Sequence, residues 1–193
     1  LNAQKRLIIA MTGATGAVYG FRILEVLRGL EGWHTHLIVS SAGALNIQHE
    51  LHKKRQDAYD LADEVHDVND VAASIASGAF QTEGMIVAPC SMKTLASIAH
   101  GYSDNLISRS ADVTLKERRR LLVVPRETPL NLAHIRNMAS VTEMGGIVFP
   151  PLPAFYGEEK NLSQLIDETV GRIIGFFGVD PSGLYKPWTG LNS

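Results

Sequence analysis

The chain has 193 residues, which at roughly 100–200 residues per domain is one domain with room for a sizeable core. Its 45% hydrophobic and 20% charged residues exclude a disordered polymer, and a net charge of −2 argues against a nucleic-acid protein, which carries a basic excess. The single cysteine, Cys90, excludes an internal disulfide framework and a cysteine-built zinc site.

The first buried strand is expected at residues 6–11 (RLIIAM). A helix follows over 17–28, because Val18, Phe21, Leu24 and Leu27 fall three apart on one face. A second strand is read at 35–39 and a helix near 42–52, followed by a polar stretch to Asp70 and a short helix over 71–77. The third strand, 85–88 (MIVA), is expected to stop at Pro89. Ser91, a good N-cap type, opens a helix over 92–100, and another helix spans 105–118. A fourth strand at 121–124, a helix at 132–144, a fifth strand at 147–149 and a last amphipathic helix at 162–177 complete the pattern. This alternation predicts an α/β fold: a three-layer, Rossmann-like or flavodoxin-like domain with a mostly parallel sheet. Residues 1–193 are read as one domain, with 178–193 as a C-terminal tail at the active site or a subunit interface.

No apolar run approaches the ~20 residues of a membrane span. The N-terminal residues lead straight into a strand and leave no room for a signal peptide. With the lone cysteine, this makes the cytoplasm the expected location.

In open α/β sheets, ligands bind beyond the carboxyl ends of the strands. The segments in that place are Thr12-Gly13-Ala14-Thr15-Gly16, Ser40-Ser41, Pro89-Cys90-Ser91-Met92-Lys93-Thr94, Pro125-Arg126-Glu127-Thr128 and residues 150–156. Serine or threonine hydroxyls recur in four of the five and a basic side chain in two, which is chemistry for a phosphate-bearing ligand. Gly13 and Gly16 stand between a strand and a helix, where backbone N–H groups and the helix dipole favour an anion, and Gly20 is assigned to packing of that helix. The spacing is G-x-x-G-x-x-x-G. There is no Walker lysine, and Ser40 stands where a dinucleotide fold usually places an acid. A mononucleotide such as FMN fits these features better than ATP or NAD.

Other patterns weigh less. Tyr156-x-x-x-Lys160 imitates a dehydrogenase pair but follows a proline-rich stretch that opposes a helix. His49 and His52 are three apart, one short of a zinc-protease spacing. His34 and His36 alternate along a strand and share a face, but no further ligand lies near them in sequence, so the default is structural. Arg109, Asp112 and Lys116 share a helix face. With Arg126, the two cations form a candidate clamp for a second phosphate, against an equally weighted reading as a solvated, salt-bridged helix. Cys90 precedes a helix N-terminus, a place that activates thiols, yet it has no nearby histidine and is read as structural.

Taken together, residues 11–20 (MTGATGAVYG), 89–130 and 150–156 (PPLPAFY) resemble the flavin prenyltransferase family of UbiX/Pad type, formerly described as aromatic-acid decarboxylases. The resemblance runs from about Arg6 to Trp188. It implies an FMN-binding domain assembled into a homo-oligomer, commonly a dodecamer, with sites between subunits. The implied reaction joins a dimethylallyl group from dimethylallyl phosphate to reduced FMN, at N5 and then C6. The prenylated FMN so made serves a UbiD-type decarboxylase, and no metal is required.

Carried over by position, the resemblance gives FMN contacts to Gly13, Ala14, Thr15, Ser40, Ser91, Met92, Lys93, Thr94 and Arg126. It assigns the isoprenoid phosphate to Arg109, Lys116, Arg126, Glu127, Tyr156 and Arg172, and an aromatic wall to Trp188. Glu50 matches an acid implicated in ring closure, and Glu127 is read as handling a proton or binding a protonated phosphate. Thr15 replaces the serine of many members and keeps the hydroxyl. The alternatives are an FMN-dependent cysteine decarboxylase and an FMN carrier. Lys93, where the former group has Asn, and the Arg109/Lys116/Arg126 set oppose the first.

Overall fold

The computed structural model describes residues 4–155, 161–181, 183–185 and 190. Two compact units appear, 1–151 and 152–193. In the first, six strands form one sheet in the order β3-β2-β1-β4-β5-β6, and every pairing is parallel. The strands are β1 (Lys5–Met11), β2 (Trp33–Val39), β3 (Glu64–His66), β4 (Gly84–Cys90), β5 (Arg120–Pro125) and β6 (Ile147–Val148). Among the described residues the sheet is therefore wholly parallel, in the doubly wound order.

The middle strands are apolar along their length because both faces are covered. Leu7 to Met11 and Met85 to Ala88 are all buried. Alternation splits them between two layers. Ile8, Met85, Val87, Leu121 and Val123 join a core with α4 (Met92–Ala99) and α5 (Leu106–Lys116). On the other side, α1 (Ala17–Arg28) crosses so close that a Cβ on Gly20 would run into the carbonyl oxygen of Ala88 and the side chain of Met11. The packing role assigned to Gly20 thus has a physical basis.

Four features depart from the sequence reading. β3 was missed, because three residues are too few to display a period. The polar stretch before it also holds a short helix, α3 (Arg55–Tyr59). β4 does not stop at Pro89 but runs to Cys90, with the irregular register between Val87 and Cys90 that a residue without an N–H requires. The helix read over 71–77 is a single 3-10 turn, Ser74–Ala76.

α2 (Ser41–Leu51) and α6 (Leu132–Glu143) complete the first unit. The second unit contains α7 (Leu162–Gly175), opened by Asn161, whose side chain accepts the N–H of Gln164. No helix among the described residues is long and apolar enough to cross a membrane.

Candidate active site

The chain winds outward from β1 to β3, then returns to β4 on the other side of β1. Such a reversal opens a crevice at the carboxyl ends of the two central strands. A cavity of about 380 Å³ lies there. Thr12 follows β1, Ser40 and Ser41 follow β2, and Ser91, Lys93 and Thr94 follow β4. The wall is completed by Val68 and Asn69 beyond β3, and by Asp104, Asn105 and Ser108 at the start of α5.

Hydrogen bonds hold the two central strand ends together. The Thr12 hydroxyl donates to the Pro89 carbonyl and accepts the N–H of Ser91, each at 2.8 Å. Ser40 caps α2 by accepting the N–H of Gly43 at 3.0 Å. Ser91 caps α4 by accepting the N–H of Thr94 at 3.2 Å and donates to the Thr94 hydroxyl at 3.1 Å. Two helix N-termini therefore open on the same cavity, and each offers N–H groups that the helix itself does not use. Among the lining residues, Thr12, Ser40, Ser41, Ser91, Thr94, Ser97 and Ser108 carry hydroxyls. Lys93 is well exposed and lies 3.9 Å from Asp104. Neutral donors and two positive helix ends suit a phosphate monoester, which is what the FMN tail presents.

The β1–α1 loop is held from outside the cavity. Gly16, the N-cap of α1, has no side chain to cap with and adopts a left-handed φ of 100°. Glu50, in the last turn of α2, supplies the missing acceptor. Its Oε2 takes the N–H groups of Gly16 at 2.9 Å and Ala17 at 2.8 Å. One turn earlier on α2, Asn46 donates to the Ala14 carbonyl at 2.6 Å. Gly13 lies against Ala42, so close that a Cβ there would overlap the alanine methyl. The loop glycines therefore let α2 approach. Of the N–H groups expected to cradle a phosphate, those of Gly16 and Ala17 hold a carboxylate in this structure.

The expected cationic clamp is only partly gathered. Arg109 donates through Nε to the Ala76 carbonyl at 3.3 Å and pairs with Asp112 at 2.9 Å. Lys116 pairs with Glu117 beside Gly78. Both cations thus face the segment around the 3-10 turn. Glu117 is held below the usual carboxylate range by its hydrogen bond from Lys116 and by that ammonium's charge. Lys116 ends α5 just before β5 begins, whereas Arg126 and Glu127 follow the other end of β5. Six residues at about 3.3 Å each separate those ends by roughly 20 Å. One chain does not bring Lys116 to Arg126.

Arg126 acts on Tyr19 of α1. Burial pushes the phenol up, and the guanidinium partly opposes this. Glu127 accepts the N–H of Thr128 at 3.1 Å. Arg172 is exposed on α7 in the second unit. Met92 packs against the core, and Thr15 is exposed. Tyr156, Lys160 and Trp188 lie outside the described residues. Asn46, Val68, Asn69, Asp104, Asn105 and Ser108 were not singled out from sequence. Finding β3 would have pointed to Val68 and Asn69, which follow its carboxyl end.

Cys90 is fully buried in the core, and burial drives its thiol far above the ordinary range. The structural reading of this cysteine fits that environment.

A hydroxyl-lined crevice at the switch point of a doubly wound sheet, with two helix N-termini opening on it, is where nucleotide-binding α/β proteins hold their ligands. The family model described as Flavoprotein matches residues 1–174. A flavin prenyltransferase UbiX of Neisseria meningitidis is 51% identical, over 97% of this chain and 98% of that protein. A crystal structure of AnUbiX in complex with FMN and dimethylallyl pyrophosphate superposes with a TM-score of 0.93, at 49% identity, covering 97% of this chain and 98% of that one. A dodecameric FMN-dependent UbiX-like decarboxylase from Escherichia coli gives a TM-score of 0.93 at 44% identity, covering 96% of this chain and 100% of that one. The chain belongs to the flavoprotein family and, within it, to the flavin prenyltransferases.

Proposed function

We propose that this chain transfers a dimethylallyl group from dimethylallyl phosphate to reduced FMN, forming a bond at N5 and then closing a ring at C6. The carrying observation is the hydroxyl-lined crevice between the N-termini of α2 and α4, in a chain of this family. Ser40, Ser91, Thr94 and the first-turn N–H groups hold the FMN phosphate there. Reduced FMN supplies the nucleophile, and the protein's task is charge and solvent control. As the allylic C–O bond breaks, negative charge gathers on the departing phosphate. Arg109, Lys116, Arg126 and Arg172 supply the compensating cations. Glu127 delivers a proton to that phosphate or hydrogen-bonds its protonated form. Tyr156 and Trp188 wall the allylic carbon with aromatic faces that tolerate cationic character. Glu50 stands at the β1–α1 loop, where a carboxylate serves the later ring closure.

The phosphate site is completed between subunits of a homo-oligomer, a dodecamer on the pattern of the Escherichia coli relative. What supports this is the roughly 20 Å between the two ends of β5, which parts Lys116 from Arg126. Exposed apolar side chains support it too. Leu132 and Ile135 lie three apart on α6 at 59% and 50% exposure, beside Leu130 at 45%. The family match runs across Pro151, which favours treating residues 1–193 as one flavoprotein domain. The product passes to a UbiD-type decarboxylase in the cytoplasm, a compartment that suits a lone reduced cysteine.

The donor is tested by offering dimethylallyl monophosphate and diphosphate side by side to the protein with reduced FMN, and following release of inorganic phosphate or pyrophosphate. Turnover of the monophosphate is expected. Turnover of the diphosphate alone would overturn the donor assignment.

A further inference from the structure

His34 and His36 stand two apart on β2 and so face the same side of the sheet. The edge strand β3 pairs Glu64 with His36 and His66 with Ile38, which puts Glu64 and His66 on that side too. Four side chains with metal-ligating atoms thus converge, in two i, i+2 pairs that the pairing of β2 with β3 brings together. Glu64 Oε2 lies 3.4 Å from His36 Nδ1 and 3.8 Å from His34 Nε2. His66 Nε2 lies 3.0 Å from His36 Nδ1 and 3.5 Å from Glu64 Oε1. The ligand atoms of His34, His36 and Glu64 all fall within 4.8 Å of one another. Nitrogen and oxygen ligands about 2.0–2.1 Å from a tetrahedral zinc ion stand about 3.3 Å apart, so these separations need only small side-chain movements to close on an ion.

We propose that His34, His36 and Glu64, with His66 beside them, bind one zinc ion at the β2–β3 edge of the sheet. Two imidazoles and a carboxylate match zinc rather than magnesium or calcium, which prefer oxygen sets. His36 is 1% exposed, and its Nε2 is buried without a hydrogen-bond partner among the described residues. Nδ1 is therefore the nitrogen that serves the cluster. Glu64 and His34 are partly open to solvent, which gives the ion a way in and leaves room for water or His66 as the fourth ligand. The site is separate from the prenylation crevice, since His36 precedes Ser40 by about 13 Å of strand. Its role is structural. It pins a three-residue edge strand whose continuation supplies Val68 and Asn69 to the cavity wall.

The test uses the full chain with any affinity tag removed, stripped with a chelator and titrated calorimetrically with zinc chloride. Wild type is expected to take up one equivalent and to gain thermal stability. His34→Gln and Glu64→Gln alter partly exposed side chains, and circular dichroism checks that both variants fold. Each should weaken zinc binding by more than about tenfold, and the double variant should abolish it. Cobalt(II) in place of zinc should give the visible absorption of a tetrahedral ion in wild type only. Absence of stoichiometric binding in wild type would overturn the site and leave a hydrogen-bonded histidine network. Binding unchanged in the double variant would overturn it as well.

Discussion

Glu50 Oε2 accepts the backbone N–H of Gly16 at 2.9 Å, and thereby caps a helix to which it does not belong. Gly16 is needed for its left-handed φ, so α1 cannot carry its own N-cap side chain. α2 provides one. The contact ties the far end of α2 to the loop at the mouth of the crevice, while the near end of the same helix opens on the cavity.

Losing this cap should cost about 1 kcal/mol of stability in Glu50→Ala, the usual value of a helix N-cap. Glu50→Gln keeps an acceptor oxygen and should lose less. Chemical denaturation of the apoprotein measures both. Equal stability of Glu50→Ala and wild type would contradict the capping role.

The separation of Lys116 from Arg126 along β5 predicts complementation between subunits. Lys116→Ala and Arg126→Ala should each abolish prenyl transfer, with Lys116→Ala largely sparing FMN binding. Dissociating the two variants, mixing them and letting them reassemble should restore part of the activity, because some sites then draw an intact Lys116 and an intact Arg126 from different chains. Mixed oligomers that form and bind FMN but stay inactive would show that each chain supplies both cations itself.

Gly20 tests the close approach of α1 to the sheet. In Gly20→Ala the new methyl meets the Ala88 carbonyl oxygen, a backbone atom with little room to yield. A loss of roughly 1–3 kcal/mol is expected, the range for overpacked cores. Gly29→Ala is the control, since no atom of the described residues lies within 4 Å of a Cβ there and its φ of −88° suits alanine. Urea unfolding of the pair should show a fall in the first and almost no change in the second.

Cys90 should resist alkylation by iodoacetamide in the folded protein at pH 8 and react once the chain is unfolded. Its buried thiol has a raised pKa, so the folded state keeps the proton longer than the unfolded chain, whose thiol titrates near 9.0. The stability this gives is complete below that value and is lost as pH rises through the folded pKa. Stability measured from pH 8 to 10.5 should fall less steeply in Cys90→Ala than in wild type. Rapid labelling of the native protein would refute the burial argument.

The sheet was legible because fully buried parallel strands are unbroken apolar runs, as in residues 7–11 and 121–124. Ser91 also announced its own helix. β3 was hidden by its length, and with it the cavity wall at Val68 and Asn69. Glu50 shows a second limit. The family resemblance assigned it to ring closure, but a bond to Gly16 across 34 residues leaves no local pattern. The histidine cluster is similar, since the register of β2 on β3, and no spacing, brings Glu64 to His36. Arg109 and Lys116 were rightly placed on one helix face, yet periodicity carried no information on where Arg126 lies relative to them.

The central claim is tested most directly by mass spectrometry of the flavin after incubating the protein with FMN, a reductant and dimethylallyl phosphate. The account predicts flavin heavier by one C5H8 unit, formed only when all three are present with the protein. FMN recovered unchanged, while an active relative converts it under the same conditions, would contradict the assignment and leave a flavin-binding protein without this chemistry.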